Sequence, residues 1–447
     1  MRLAPSEEQR RFADVLDMLL TRADPAAVSA AWAAGDITPG RRLWAALADA
    51  GVTGLLVPER FGGLGAGTDD LVVACEVLGR HAVPGPVAES VAAVPTLLVS
   101  GRWLPELASG RILASMAAPP LLPFAADGDV ADLLLIIDTP AVRTGSPGAV
   151  HHSLDAVRRL ADVIPGEIVE TGAPIQRALD LGTLACAAQL LGAGHTLLSM
   201  AVEHAKTRTQ FGRPIGAFQA VRHQLADVAV ALAFARPLLY AAAVALADPA
   251  PGATTPAHTG PPHPAAGPTR DLSRAAGMSH AGRDVSAAKV ACGEAALLAA
   301  RTALQVHGAI GYTREHGLGR YLTRVRALHL SWGTPDWHRR RILTELTGTA
   351  VEDPAGLHRC LNGVETAVRA SRELAGTGTG PVWTVGGTAG DPTPQPESRL
   401  SVRHGDPTPQ PESRLSVRHR EDAAVWPRDG RGAVGPGVGR TGEKGFE

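Results

Sequence analysis

The most specific chemical pattern in the sequence is a short polar segment between two apolar stretches. It runs from Arg208 to Gln219 and contains Phe211 three residues after the arginine. A guanidinium binds a pyrophosphate through several hydrogen bonds, a carboxamide donates to phosphate or ribose oxygens, and an aromatic side chain can cover an apolar ring. This favours a site for a phosphorylated ligand. The structural alternative makes Arg208 a cation at the negative end of a helix dipole and Phe211 a core residue.

A second segment, Gln305–Tyr312, follows an apolar stretch of helical pattern and is rich in glycine. Gly308 and Gly311 permit a backbone to approach a ligand closely and to adopt positive φ values. A plain turn that ends a helix explains the same residues. The segment is therefore evidence for a ligand site mainly when it is considered together with the arginine segment.

The arginine segment resembles the signature of the FAD-dependent acyl-CoA dehydrogenase family. In that family an arginine, a phenylalanine three residues later and a glutamine eleven residues after the arginine contact FAD across a subunit interface. Arg208, Phe211 and Gln219 match all three positions. The resemblance implies that these residues bind the FAD of a neighbouring subunit.

The Gln305 segment resembles the family's turn of a glutamine followed by glycines, which also reaches a neighbouring subunit's FAD. The resemblance therefore adds Gln305, Gly308 and Ala309 to the cofactor-binding residues. Ala309 replaces a usual second glycine, and its methyl group is expected to weaken binding on the adenine side. No metal site is predicted.

A tryptophan stands where most of that family carries its catalytic glutamate. Trp332 precedes a Gly-Thr pair and lies 27 residues after Gln305, the separation that the family's glutamate has from its glutamine. The base must remove the α-proton of an acyl thioester while the β-hydrogen leaves as hydride to the flavin. Indole has no lone pair basic enough for this, and its bulk fills space that an acyl chain would use. We expect the chain's own site to be inactive.

Two nearby positions could in principle replace that base. Some family members carry the glutamate on the long helix before the arginine motif, about 25 residues upstream, where this chain has Thr183. Asp180 lies on the same helical face and is the only carboxylate near it. It is the remaining candidate for a base, although a surface or capping role is the favoured interpretation.

The central region lacks two motifs that cradle the flavin ring in the family. Neither a Thr-Glu/Gln-Pro stretch nor a Trp-Ile/Val-Thr-Asn stretch occurs, and the region is shorter than usual. The segments Ser153–Asp155 and Arg158–Ala161 resemble the passage that leaves this domain. Groups that would serve the chain's own flavin ring are thus missing, whereas groups offered to a neighbour's FAD are present.

Hydrophobic periodicity predicts a mainly α-helical protein with a small β-domain. The predicted helices lie near Glu7–Leu20, Arg41–Ala50, Asp69–Arg80, Val87–Val99, Ile175–Lys206, Phe218–Leu246, Arg283–Val306 and Pro335–Thr347. Side-chain capping by Thr68 and Asp69 is expected to start the third. Short apolar runs such as Leu133–Ile137 predict strands.

The domain organisation that follows from these patterns is that of the acyl-CoA dehydrogenase fold. It comprises an N-terminal helical domain over residues 1–100, a reduced central β-domain over 101–172 and a C-terminal four-helix bundle over 173–375. An insert rich in Pro, Ala, Gly and His at 248–268 is predicted to be disordered. The tail at 376–447, which contains a perfect repeat, is also predicted to be disordered; it could arise from a shifted reading frame or be a binding tail.

The composition limits which binding partners and which cellular location are expected. The 43 basic and 44 acidic residues nearly cancel, which gives no electrostatic case for nucleic acid or an anionic membrane surface. Four widely separated cysteines and a polar N-terminus predict a cytoplasmic location. The stretch Leu181–Val202 lacks charged residues and is long enough to cross a bilayer, but its polar residues and glycines favour a buried central helix and no membrane span.

These features together favour the non-catalytic partner in a heteromeric acyl-CoA dehydrogenase, of the kind that actinobacteria use on steroid-derived and other bulky acyl-CoA thioesters. The expected partners are another acyl-CoA dehydrogenase subunit, the acyl-CoA substrate and an electron-transfer acceptor. One alternative is an active homotetramer with an unusual base such as Asp180. The others are a redox-inactive structural or acyl-CoA-binding homologue and a decayed gene product.

Overall fold

The computed structural model describes residues 4–247, 280–313 and 316–347. The insert at 248–268 and the tail at 376–447 lie outside these residues, so the predictions made for them stay predictions. The α-helices, in chain order, are α1 (Glu7–Ala23), α2 (Pro25–Ala33), α3 (Thr38–Asp49), α4 (Thr68–Arg80), α5 (Val94–Leu97), α6 (Leu104–Ala108), α7 (Ile175–Thr207), α8 (Gln219–Leu246), α9 (His280–His307), α10 (Leu318–Leu330) and α11 (Pro335–Thr347). The prediction of a mainly α-helical protein is confirmed.

Three of these helices, α2, α6 and α10, were not predicted. Helix α2 is apolar and rich in alanine, so it has no polar face to create periodicity. The sequence signals for α2 lie at its start. The Asp24 carboxylate accepts a hydrogen bond from the backbone N–H of Ala27, and Pro25 occupies the first turn. Local start signals therefore identify this helix better than its hydrophobic pattern does.

The start of α4 differs from its prediction. The cap is Gly67, whose backbone N–H donates to the Asp70 carboxylate at 3.0 Å. Thr68 does not cap the helix, because its hydroxyl donates across the domain to the backbone carbonyl of Ala243 in α8 at 2.6 Å. The predicted helix Val87–Val99 begins as a single π-helical turn, Glu89–Ala93, before continuing as α5.

One five-stranded sheet carries the β-structure of the central region. Its strands are β1 (Ala114–Ala117), β2 (Ala125–Ala126), β3 (Leu133–Asp138), β4 (Ala141–His152) and β5 (Arg159–Thr171), in the order β1-β3-β4-β5-β2. Strands β1 and β3 are parallel and the other pairs are antiparallel. The run Leu133–Ile137 is buried throughout, which explains why it lacks alternation.

Helix α7 is the central element of the helical bundle and packs against α4, α8 and α9. Its contact with α4 depends on glycine: a Cβ added at Gly192 would lie 1.9 Å from the carbonyl oxygen of Glu76, and one added at Gly79 would lie 2.2 Å from that of Gln189. The two backbones can approach this closely only without side chains. The prediction of a buried central helix over Leu181–Val202 is confirmed.

Two of the described helices, α7 and α8, are long and apolar enough by composition to cross a bilayer. Helix α7 uses that apolar surface inside the bundle, where it lies among other helices. Helix α8 is less buried and presents Val230, Phe234 and Leu238 to the outside of the single chain. These three residues are four positions apart and form one stripe on the helix.

Candidate functional site

Trp332 lies in the short connection between α10 and α11 and is almost completely buried, with 1% of its surface exposed. Its backbone is left-handed, with φ of 57°, and Gly333 follows with φ of 91°. The indole packs on Gly182 of α7, where an added Cβ would lie 2.2 Å from the ring atoms Cη2 and Cζ3. The tryptophan and the glycine are thus complementary in shape, and the indole occupies the space beside α7.

The indole N–H of Trp332 donates a hydrogen bond to the carboxyl group of Glu89, in the π-helical turn. Glu89 is buried, and this burial raises the pKa of its carboxyl group. The charge of Arg158 and the hydrogen bond from Trp332 lower the pKa, but by less than burial raises it. A π-helical turn inside a helix often marks a functional position. Sequence reasoning missed Glu89, although it is the only carboxylate in the apolar run 83–99.

The backbone carbonyl of Trp332 is held by His338 of α11. The His338 Nε2–H donates to that carbonyl at 2.8 Å, and Nδ1 accepts from the Ser286 hydroxyl at 3.0 Å. The assignment follows from chemistry, because a carbonyl oxygen can only accept. Burial, reinforced by the nearby charge of Lys289, lowers the pKa of His338 to about 3. His338 is therefore neutral in the folded protein at neutral pH.

Because His338 is neutral in the folded protein, it should make the free energy of unfolding depend on pH. The variant His338→Gln should lack this contribution. Unfolded histidine titrates near pH 6.5, so below that pH the unfolded chain binds a proton that the folded chain does not, and stability is lost as pH falls. From pH 7 to pH 5 the advantage of the wild type over the variant in unfolding free energy should shrink by about 2 kcal/mol. Glu89 and Asp127, whose carboxyl pKa values are raised by burial, titrate in both proteins and cancel. Urea unfolding at the two pH values measures the difference; parallel pH profiles would contradict the prediction.

Two cations fix the end of α10, just before Trp332. The buried Lys289 ammonium donates to the backbone carbonyls of Leu328 and His329 at 3.1 and 3.2 Å, and Arg158 donates to the Ser331 hydroxyl. Positive charge at a helix C-terminus complements the helix dipole. The connection that carries Trp332 is thereby held on both sides, by these cations and by His338.

The two alternative base positions on α7 are both engaged in structural hydrogen bonds. Asp180 is 5% exposed and accepts two hydrogen bonds from the Arg341 guanidinium of α11, at 2.5 and 3.1 Å. The interpretation of Asp180 as a surface or capping residue is therefore wrong, because its carboxylate pairs with a cation inside the helix packing. Thr183 donates to the backbone carbonyl of Leu179 at 2.8 Å and offers no base.

The loop between β1 and β2 has no side chain suited to a flavin ring. Residues 118–124 are alanine, proline, leucine and phenylalanine, without a hydroxyl, amide or carboxyl side chain. The hairpin loop between β4 and β5 instead packs on α10, where Asp155 accepts from the Arg324 guanidinium. Arg324 also donates to the backbone carbonyl of Val83 at 3.0 Å. The central region therefore supports the helices around Trp332.

The arginine segment projects from the C-terminal end of α7. Arg208 is the residue after the helix and is exposed. A two-stranded ribbon of β6 (Thr209–Gln210) and β7 (Arg213–Pro214) follows, and its turn holds Phe211 and Gly212 at φ of 53° and 75°. Phe211 is 91% exposed, so the alternative that it is a core residue is wrong within the single chain.

The other predicted cofactor residues lie at the same end of the bundle. Gln219 is the first residue of α8, and Gln305 lies in the last turn of α9; both are exposed. Gly308 has φ of 61° and opens a short 3-10 turn, Gly308–Tyr312, where an added Cβ would meet nothing within 4 Å. Ala309 is exposed in that turn. The segment is thus a helix-ending turn that also leaves its backbone accessible.

A large distance separates this end of the bundle from Trp332. Helix α7 is continuous from Gly182, which contacts Trp332, to Thr207, so the 26 residue steps from Gly182 to Arg208 span about 39 Å. One small-molecule site cannot include both ends of the helix. The exposed guanidinium, carboxamides and open glycine turn have the chemistry to bind a diphosphate-containing cofactor.

Models of acyl-CoA dehydrogenase domains match most of the described chain. The N-terminal domain model matches residues 6–111, and the C-terminal domain model matches 173–258 and 270–347. The protein belongs to the acyl-CoA dehydrogenase family, which is FAD-dependent. Acyl-CoA dehydrogenase IpdE2 of Mycolicibacterium smegmatis is 31% identical over 350 residues, which cover 76% of this chain and 99% of the relative.

Solved structures show the same fold at lower identity. A chain of the ChsE4-ChsE5 complex from Mycobacterium tuberculosis is 24% identical with a TM-score of 0.60, and the match covers 78% of this chain and 100% of that one. A chain of a Tcur3481-Tcur3483 steroid ACAD variant is 21% identical with a TM-score of 0.61, covering 77% and 99%. The predicted fold of a helical domain, a small sheet domain and a helical bundle is confirmed.

Proposed function

We propose that this chain is the non-catalytic subunit of a heteromeric acyl-CoA dehydrogenase that introduces an α,β double bond into an acyl-CoA thioester. The observation that carries the proposal is the arrangement along α7. Trp332 fills the position of the base at one end, and the cofactor-contact residues are exposed about 39 Å away at the other. The chain would lend those residues to the active site of a partner that supplies the base.

Three features argue against chemistry at this chain's own site. The indole of Trp332 packs on Gly182 and hydrogen-bonds to Glu89. The space beside α7 is therefore filled, and the carboxyl group of Glu89 is already engaged in a hydrogen bond. Asp180 is held by Arg341 and cannot accept a substrate proton without giving up that ion pair. The apolar loop at 118–124 offers no side-chain hydrogen bond to a flavin ring.

In the complex, the residues at the far end of α7 would complete the partner's FAD site. Arg208 would bind the diphosphate, Gln219 and Gln305 would donate to phosphate or ribose oxygens, and Phe211 would cover apolar ring surface. The open turn at Gly308 would let its backbone approach the cofactor. FAD, when bound, supplies the hydride acceptor for the β-hydrogen of the substrate.

The exposed stripe Val230, Phe234 and Leu238 on α8 supports assembly through the bundle. Phe234 is 72% exposed in the single chain, and the three apolar side chains form one face of α8, the helix that begins at Gln219. Contiguous apolar surface of this kind favours a protein interface. Burying the stripe against a partner subunit would also bring Arg208 and Gln219 close to that subunit.

The named relatives support two parts of the proposal, the second subunit and the substrate class. The ChsE4-ChsE5 structure is described as a complex, and the Tcur3481-Tcur3483 protein as a steroid ACAD. By analogy, the present subunit would work in the cytoplasm with a second acyl-CoA dehydrogenase chain on a bulky, steroid-derived acyl-CoA. Reduced flavin would pass its electrons to a separate electron-transfer acceptor.

The test is to express the chain alone and together with a neighbouring acyl-CoA dehydrogenase gene, and to measure bound flavin. The chain alone should contain no tightly bound FAD, and the complex should contain FAD in half of its potential sites. Tight flavin binding by the isolated chain would count against the proposal. Turnover by the isolated chain with an artificial electron acceptor would favour an active homotetramer, and a flavin-free complex would favour a structural homologue.

Arg208→Ala should weaken FAD binding by the complex about 10- to 100-fold, because charge-assisted hydrogen bonds to the diphosphate are lost. Flavin fluorescence during dialysis of the complex measures the change. Arg11→Ala is the matched control, since Arg11 is an exposed arginine that pairs with Glu7 of the same helix, α1. If Arg208→Ala and Arg11→Ala retained flavin equally, Arg208 would have no role across the interface.

A further inference from the structure

We propose that His204, His307 and His316, termed here the histidine stack, form a proton-binding part of the cofactor site. In this proposal the stack takes up a proton when the FAD diphosphate of a partner subunit binds beside Arg208. The inference rests on the proposed function, because it requires that this end of α7 meets the cofactor. The inference adds to the proposed cofactor site three histidines that no sequence motif identified. It also predicts that the affinity for FAD depends on pH.

The histidine stack joins three segments of the chain. The rings of His204, in the last turns of α7, and His307, at the end of α9, are stacked with centroids 4.3 Å apart. The ring of His316, just before α10, meets that of His307 edge to face at 4.7 Å. The stack therefore fixes the Arg208 segment next to the Gln305 turn, and its position links it to the proposed cofactor contacts.

One ring nitrogen of His307 is engaged in a hydrogen bond within α9. Its Nδ1–H donates to the backbone carbonyl of Ala303 at 2.7 Å, which leaves Nε2 without a required proton. His316 uses its own Nδ1 to accept from the backbone N–H of Leu318 at 3.3 Å. Burial and the neighbouring imidazoles lower the pKa of His204 and of His307, and the charge of Arg208 lowers that of His204 further. His204 and His307 therefore bind protons weakly while the cofactor is absent.

The surrounding charges are strongly biased toward positive. Arg208 lies one turn after His204, and its backbone N–H donates to the His204 carbonyl at 2.9 Å. Within residues 200–208, 303–313 and 316–318 the single carboxylate is Glu203, which is paired with Lys206 at 2.7 Å. Arg314 and Glu315 lie outside the described residues. No described acid in these segments is therefore free to balance a protonated stack.

A bound diphosphate would change this balance. Its negative charge beside Arg208 favours the protonated form of a nearby imidazole, so binding raises the histidine pKa. Binding and protonation are then coupled reciprocally, and FAD affinity must increase as the pH falls through the titration of the stack. With uptake of about half a proton, the FAD dissociation constant should fall about fivefold between pH 7.5 and pH 6.0.

The experiment is calorimetric titration of FAD into the flavin-stripped heteromeric complex at pH 6.5, in two buffers of different ionisation enthalpy. The difference in apparent binding enthalpy gives the number of protons taken up, independently of catalysis. The wild type should take up about half a proton per FAD. His204→Gln and His316→Gln should each lower that number to near zero, and should flatten the dependence of FAD affinity on pH. His152→Gln, an exposed histidine outside the stack, is the control.

The outcomes separate this inference from the proposed function. Unchanged proton uptake in a folded His204→Gln or His316→Gln complex would overturn the role of the histidine stack, even if Arg208→Ala weakened FAD binding as expected. If Arg208→Ala left FAD affinity unchanged, the proposed function itself would fail. Thermal unfolding of each variant complex before titration confirms that the protein measured is folded, and either single variant suffices for the test.

Discussion

Trp332→Ala is expected to lower the free energy of unfolding of the full chain by about 3–5 kcal/mol, the range for truncating a large buried aromatic residue. The indole is 1% exposed and fills the space above Gly182. The variant also removes the hydrogen bond to Glu89, leaving a buried carboxyl group without its indole donor. Equilibrium unfolding in urea measures the loss.

Two further variants divide this effect into its parts. Trp332→Phe keeps most of the apolar volume but removes the N–H, and should cost about 1–2 kcal/mol. Glu89→Gln keeps an acceptor for the indole and is the matched control, with an expected change of less than about 1 kcal/mol. If Trp332→Ala cost less than Trp332→Phe, the proposed filling of this space would be wrong. Flavin retention by the complex should remain unchanged in the Trp332→Ala variant, because the proposed cofactor contacts lie at the far end of α7.

Asp155→Ala should destabilise the chain by a similar amount, about 3–5 kcal/mol, because it leaves the buried Arg324 guanidinium without its carboxylate partner. Asp155 is 1% and Arg324 5% exposed, and the pair connects the β4–β5 hairpin to α10. The loss should appear as a lower urea midpoint with an unchanged slope, since the same surface is exposed on unfolding.

The double variant Asp155→Ala/Arg324→Met gives the decisive comparison. Removing both charges eliminates the unpaired cation, so the double variant should be more stable than Asp155→Ala alone. Arg11→Ala, which breaks an ion pair between exposed side chains, is the control and should change stability by less than about 1 kcal/mol. Equal destabilisation in the single and double variants would show that the hairpin loop is held by its backbone contacts.

The fold and the cofactor segment were accessible from sequence because their signals are local. The Arg208, Phe211 and Gln219 spacing lies within twelve residues, and the long helices have continuous apolar faces. The structure then showed that these residues are exposed at one end of the bundle. The count of 27 residues from Gln305 singled out Trp332, which lies in the connection between α10 and α11 in the structure.

The groups around Trp332 could not be predicted in the same way, because their partners are distant in sequence. Glu89 is 243 residues from Trp332, and nothing in its local sequence indicates an indole donor. Asp180 looked like a surface residue because its partner Arg341 is 161 residues away on another helix. Such pairs depend on how the helices pack, so only the folded structure reveals them.

The length of α7 also bears on how such a subunit can arise. On the proposed function, one continuous helix separates the two ends by about 39 Å, so a substitution that removes the base at one end would leave cofactor donation at the other intact. After a gene duplication, each copy could therefore lose one task without harming the other. The spacing of the fold permits a division of labour between two descendants of a single enzyme.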